Sequence, residues 1–150
     1  MGLFGSIDEV LEFAIDREIE ANQLYTDLAQ RTKNAAMHKV FGDFAKEELG
    51  HKAKLEAMKA NRTTIPTEKV TDLKIADYVV DVEPEPNMGY QDVLVVAMQK
   101  EKASFHLYTD LADVVENQVQ REVFLSLARE EAGHKLRFEI EYDDQVLKEN

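Results

Sequence analysis

Glu48-Leu49-Gly50-His51 lies inside Phe41 to Met58, a run of helix formers without proline. On a helix, residues three apart share a face, so Glu48 and His51 point the same way. Both fall within an apolar seam of Met37, Phe41, Phe44, Glu48, His51, Leu55 and Met58, with the alternating spacing of four and three that marks a core-facing stripe. An acid and an imidazole where packing asks for a hydrophobe are costly unless something compensates them. The chain then repeats the arrangement. Glu131-Ala132-Gly133-His134 sits in the seam Phe124, Leu127, Glu131, His134, Phe138, displaced by 83 residues from 48 to 131 and again from 51 to 134.

The same displacement relates Ala14-Ile15-Asp16-Arg17-Glu18 through Leu24-Tyr25-Thr26-Asp27-Leu28-Ala29 to Ala97-Met98-Gln99-Lys100-Glu101 through Leu107-Tyr108-Thr109-Asp110-Leu111-Ala112. Roughly half the residues match between these blocks, and such repeats reveal architecture. The chain reads as two copies of a helical hairpin. Each copy brings one glutamate on its first helix and a Glu-x-x-His pair on its second.

Ser6 followed by Glu9 forms a capping-box signature and predicts the start of the first helix. Its seam is Ile7, Leu11, Ala14, Glu18, Ala21, Tyr25, Leu28. Asn34 is the expected cap of a second helix that runs to about Ala60. From Asn61 to Gly89 the periodicity fails, and all three prolines (Pro66, Pro84, Pro86) lie there. Within it, Leu73 to Val82 carries apolar residues suited to covering one side of a bundle. A third helix begins near Tyr90, with the seam Tyr90, Leu94, Ala97, Glu101, Ser104, Tyr108, Leu111. A fourth spans about Gln118 to Leu147. The expected architecture is all-α: a single domain over residues 1–150, a four-helix bundle of two hairpins (about 6–60 and 90–147) joined by a crossover over 61–89. A crossover of that length has slack, so exchange of halves between two chains is also open.

Composition narrows the function. The 150 residues suffice for one real core, and no stretch approaches the ~20 apolar residues of a membrane span; Val93 to Met98 is far too short. Met1 to Ser6 lacks the features of a signal peptide. Met1-Gly2 with Ser6 fits a myristoylation pattern, but acidic residues follow it and Ser6 is better used as a cap. These features lead us to expect a cytoplasmic protein. Cysteine is absent, which excludes disulfides, thiol chemistry, cysteine-ligated zinc and iron–sulfur centres within this chain. A net charge of −12 argues against nucleic acid and anionic membranes as partners.

Placing the four seams face to face brings Glu18, Glu48, His51, Glu101, Glu131 and His134 to one level. A single Glu-x-x-His on a helix is usually a surface pair; two of them, each in a core seam and each matched to a seam glutamate at one displacement, are not. Oxygen and imidazole donors without sulfur suit iron or manganese, with zinc open. Four carboxylates balance two divalent cations while the imidazoles stay neutral. Tyr25 and Tyr108 lie about two turns from the glutamates on the same seams, as expected for hydrogen-bond donors to a ligand carboxylate across the bundle or for core aromatics. Ala14, Ala21 and Ala97 keep the surroundings of Glu18 and Glu101 small. His38 and His106 fall off the seams, and Asp27 and Asp110 point away from the glutamates, so their repetition reads as shared ancestry.

These motifs resemble the rubrerythrin branch of the ferritin-like di-iron superfamily over essentially the whole chain: Glu18 with Tyr25, Glu-Glu-Leu-Gly-His at 47–51, Glu101 with Tyr108, and Glu-Glu-Ala-Gly-His at 130–134. The resemblance implies a site of two iron ions held by the six residues named above, reacting with peroxide or dioxygen. Its electrons would come from Fe(II) or from an external redox protein such as a rubredoxin, because this chain carries no cysteine-bearing electron-transfer domain. The expected assembly is a homodimer, with exchange of halves left open by the slack of the crossover. Typical rubrerythrins carry an extra glutamate one turn after the third-helix ligand, where this chain has Ser104. The six-ligand set that remains is similar to that of bacterioferritin, but Leu49 replaces the haem-binding methionine of that family. The alternatives are a non-haem iron-storage protein and a structural or sensing metal bundle.

Overall fold

In the computed structural model, which describes residues 4–61, 70 and 72–149, the chain forms four long helices. They are α1 (Ile7–Arg31), α2 (Ala35–Ala60), α3 (Tyr90–Val114) and α4 (Gln118–Glu149), with one 3-10 turn at Ile75–Tyr78. The first part of the crossover, including Pro66, lies outside the described residues.

Local chemistry sets the boundaries. Ser6 Oγ accepts from the Glu9 amide at 3.2 Å, and Glu9 Oε2 reaches back to the Gly5 amide at 2.5 Å, so the capping box closes one residue before the cap. Asn34 Oδ1 accepts from the Met37 amide at 3.1 Å and starts α2. Asn117 does the same for α4, accepting from the Gln120 amide at 3.0 Å. Caps of this kind contribute about 0.5–2 kcal/mol each.

α1 packs along α2 and α3 along α4, and α1 lies beside α3 and α2 beside α4. This closes a four-helix bundle, with the 3-10 turn of the crossover against α3. Two anchors hold the crossover. Tyr78 donates to Asp110 Oδ2 at 2.6 Å, and Arg31 donates to the Met88 and Glu85 carbonyls at 2.5 and 3.1 Å. Asp110 therefore has a structural task beyond ancestry, whereas its repeat partner Asp27 pairs with Arg31 at 2.8 Å.

The seams bury two apolar clusters. One joins Leu11, Leu55, Leu107, Leu111, Phe124 and Leu127; the other joins Leu24, Leu28, Met37, Phe41, Leu94 and Phe138. Each fully buried large side chain of this type stabilises the fold by roughly 1.5–3 kcal/mol. Between them lie Glu18, Glu48, His51, Glu101, Glu131 and His134, none more than 4% exposed. Glu141 is a further buried acid, 4% exposed, and it is satisfied by Tyr90 (2.7 Å) and Gln145 (3.4 Å).

Candidate metal centre

The six side chains converge. Ligand atoms from Glu18, Glu48, His51 and Glu131 all lie within 4.8 Å of one another, and so do those from Glu48, Glu101, Glu131 and His134. Glu48 and Glu131 belong to both groups. Each half then adds one histidine and one first-helix glutamate: His51 Nδ1 is 3.5 Å from Glu18, and His134 Nδ1 is 3.7 Å from Glu101. The repeat has become an approximate two-fold axis through the pair of shared carboxylates.

The donor set fits a metal. Glu18 Oε2, both oxygens of Glu48, Glu101 Oε2, Glu131 Oε1 and Nδ1 of both histidines are buried without a hydrogen-bond partner. His51 Nδ1 stands 2.8 Å from Glu131 and His134 Nδ1 2.9 Å from Glu48, as close ion-pair contacts within the cluster. Orphaned buried carboxylates and inward-facing ring nitrogens cost several kcal/mol without compensation, and a cation supplies it.

The outer ring nitrogens are also held, and the sequence reading passed over the residues that hold them. His51 Nε2 bonds Glu130 at 2.5 Å, and His134 Nε2 bonds Glu47 at 2.8 Å. Each half-exposed glutamate precedes a buried one, so the doubled acid in both Glu-Glu-x-Gly-His motifs was the available signal. Such partners fix the ring orientation and leave Nδ1 free to face the centre.

The close approach of the six groups sets their electrostatics. Burial, then repulsion by Glu131, raises the Glu18 carboxyl, and the same two causes push Glu48 and Glu101 well above the usual range. Burial opposes charge on His51, yet the Glu131 and Glu18 carboxylates beside it prevail and push its pKa up to about 10. Burial alone would raise Glu131 too, but contact with His51, then with the Glu101 carboxyl, brings it below its ordinary value.

The two tyrosines differ. Tyr108 donates to Glu18 Oε1, and burial followed by the Glu18 charge keeps its hydroxyl protonated. Tyr25 does not do the corresponding thing: its hydroxyl is buried with no hydrogen-bond partner, a correction to the expectation of two equivalent donors. Glu101 turns toward Glu131 and His134, while the Tyr25 ring is wedged against Phe138 at 5.1 Å and edge-on to His134 at 6.1 Å. The two-fold symmetry breaks again at Phe44, which stacks on His134 at 4.0 Å; its repeat equivalent is Leu127, which has no ring to stack.

Ala14 and Ala97 are fully buried and Ala21 is 8% exposed. Ser104 is half-buried and lines a cavity that Glu101 and Tyr25 also reach. His38 and His106 are exposed and away from the centre; His38 Nδ1 bonds the Ala29 carbonyl at 2.7 Å.

Fold and site together define a four-helix carboxylate–histidine bundle of the ferritin-like class. The family model described as rubrerythrin matches residues 9–88 and 92–150, and the chain belongs to the rubrerythrin family. Among solved structures it is similar to a hypothetical protein from Pyrococcus furiosus, 24% identical with a TM-score of 0.71, covering 92% of this chain and 89% of that one. It is also similar to a candidate ferritin-like diiron-carboxylate protein from Thermotoga maritima, 21% identical with a TM-score of 0.75, covering 91% of this chain and 94% of that one. No curated protein matches the sequence. Among the described residues, no helix is long and apolar enough to cross a membrane.

Proposed function

We propose that the protein is a di-iron oxidoreductase that reduces peroxide or dioxygen with electrons from Fe(II) or from an external redox protein. The observation that carries this reading is the pair of four-residue donor groups sharing Glu48 and Glu131, buried and orphaned at mid-bundle. Carboxylate and imidazole donors without sulfur suit iron, and four carboxylates offset the charge of two divalent ions. When bound, two iron ions supply two electrons to an O–O bond. His51 and His134, held from behind by Glu130 and Glu47, keep Nδ1 aimed inward. Glu18 is pinned by Tyr108, whereas Glu101 Oε2 is buried without a hydrogen-bond partner among the described residues. Glu101 is therefore the carboxylate free to change its mode of contact as the charge of the centre changes, and it sits at the cavity through which an oxidant would approach.

Ser104 sets the expected oxidant range. It is on the same helical face as Glu101, one turn later, and it is neutral. A carboxylate there would favour the more positive oxidised state; serine does not. Stopped-flow oxidation of the anaerobic Fe(II)-loaded protein should show measurable rates with both hydrogen peroxide and dioxygen, and Ser104→Glu should shift the ratio toward peroxide. Failure of the Fe(II)-loaded protein to react with either oxidant would overturn the proposal. A wild-type preference for peroxide by several orders of magnitude would remove Ser104 as its determinant.

A further inference from the structure

Tyr78 to Asp81 and Glu83 of the crossover lie against residues of α1 and α3, and between them is a cavity of about 300 Å³. We propose that this cavity binds small organic hydroperoxides, with the Tyr25 hydroxyl as hydrogen-bond donor to the O–O group; the inference rests on the peroxide-reducing function proposed above and names a substrate class for it. Glu101 and Tyr25 line the cavity where it meets the metal centre. Tyr25 is fully buried and its hydroxyl has no partner, although Tyr108 commits the equivalent hydroxyl to Glu18. A buried unpartnered donor costs about 1–3 kcal/mol, which a bound acceptor would relieve.

Size argues for more than a diatomic ligand. A water's share of liquid volume is about 30 Å³, so peroxide or dioxygen, with two heavy atoms, fills on the order of a fifth of the space. At about 300 Å³ the cavity reaches the lower range of small-molecule sites. Its walls beyond Tyr25 include Ala21, Ala103 and Val80, which suit hydrocarbon. Ala21 and Ser104 are repeat equivalents, so the two helices both present a small side chain here. Four acids (Glu20, Asp81, Glu83 and Glu101) line the cavity beside two cations, and these are already paired, Arg17 with Glu20 at 3.0 Å and Lys100 with Glu83 at 3.2 Å, so the lining disfavours an anionic ligand and a neutral hydroperoxide suits it.

With two Fe(II) held by the six ligand residues, a hydroperoxide would take one electron from each and two protons from solvent; its O–O bond would break to give one alcohol and one water, leaving two Fe(III).

Two measurements test the inference. Metal-free protein is titrated with cumyl alcohol, the reduced product, while methyl resonances of Ala21, Ala103 and Val80 are followed by NMR; saturable shifts confined to these residues are expected. Fe(II)-loaded protein is then mixed anaerobically with hydrogen peroxide, tert-butyl hydroperoxide or cumene hydroperoxide, and alcohol is quantified. The organic substrates should react at rates comparable to or above that of hydrogen peroxide. Ala103→Leu should lower the organic-to-hydrogen-peroxide rate ratio by about tenfold or more, the discrimination typical of altering an apolar pocket. Tyr25→Phe should slow the organic reaction in a protein that still shows the NMR shifts. Absence of shifts at the cavity, or an unmoved ratio in Ala103→Leu, would overturn the inference. Reaction with hydrogen peroxide but not with the organic substrates sinks this inference alone, whereas reaction with none sinks the proposed function as well.

Discussion

Tyr25→Phe and Tyr108→Phe remove the same atom from repeat-equivalent positions and should have opposite consequences. The Tyr108 hydroxyl donates to Glu18 in a buried setting. Its loss leaves Glu18 Oε1 buried without that partner, at a cost of about 1–3 kcal/mol. The Tyr25 hydroxyl makes no bond, so its removal relieves a buried unsatisfied group and should be neutral or stabilising by up to about 1–2 kcal/mol. The variants should therefore differ by about 2–4 kcal/mol. At about 2–4 °C per kcal/mol for a chain of this size, Tm would separate by roughly 5–15 °C. Urea and thermal unfolding of the metal-free proteins at pH 7, followed by far-UV circular dichroism, measure this directly. Equal destabilisation of both variants would refute the reasoning, because it would mean that Tyr25 has a hydrogen-bond partner worth as much as Glu18.

Two further outcomes follow from the same geometry. Glu18, Glu48 and Glu101 have raised pKa values, so from about pH 4.5 upward the folded metal-free protein holds protons that the unfolded chain releases. Its stability should fall as pH rises from 5 to 8, with His51 extending the loss toward pH 10 and the lowered Glu131 opposing it in part. Urea midpoints at pH 5 and 8 test this, and Glu48→Gln should flatten the slope; a slope of opposite sign in wild type would contradict it. Metal requires the deprotonated ligands, so the metal-induced rise in Tm should instead grow with pH. A metal that binds only the folded state adds about 2.7 kcal/mol at a hundredfold excess over Kd. His51→Ala or His134→Ala should remove most of that rise, and equal rises in wild type and variants would place the metal elsewhere.

The helices were legible because caps and seams are local: Ser6 and Asn34 start α1 and α2, and a seam interrupted by Glu and His at a fixed displacement brought the six central residues to one level. What stayed hidden depends on side-chain direction or on contacts distant in sequence. Repetition of Tyr25 at Tyr108 implied equivalent roles, but only the Tyr108 hydroxyl finds a carboxylate acceptor, and no periodicity encodes that. Glu47 and Glu130 lie one residue off the seam, so a search for core-facing acids passes over them, although from there they reach the histidine of the opposite helix. Asp110 gains its partner from the crossover, where prolines and missing periodicity leave the sequence without a positional signal.

The central claim is that Glu48 and Glu131 are shared between two metal positions rather than lining one. Anaerobic calorimetric titration of the metal-free protein with Fe(II) tests it most directly. Two donor groups with two common members should saturate near two ions per chain. Saturation near one ion per chain, or no binding, would contradict the account.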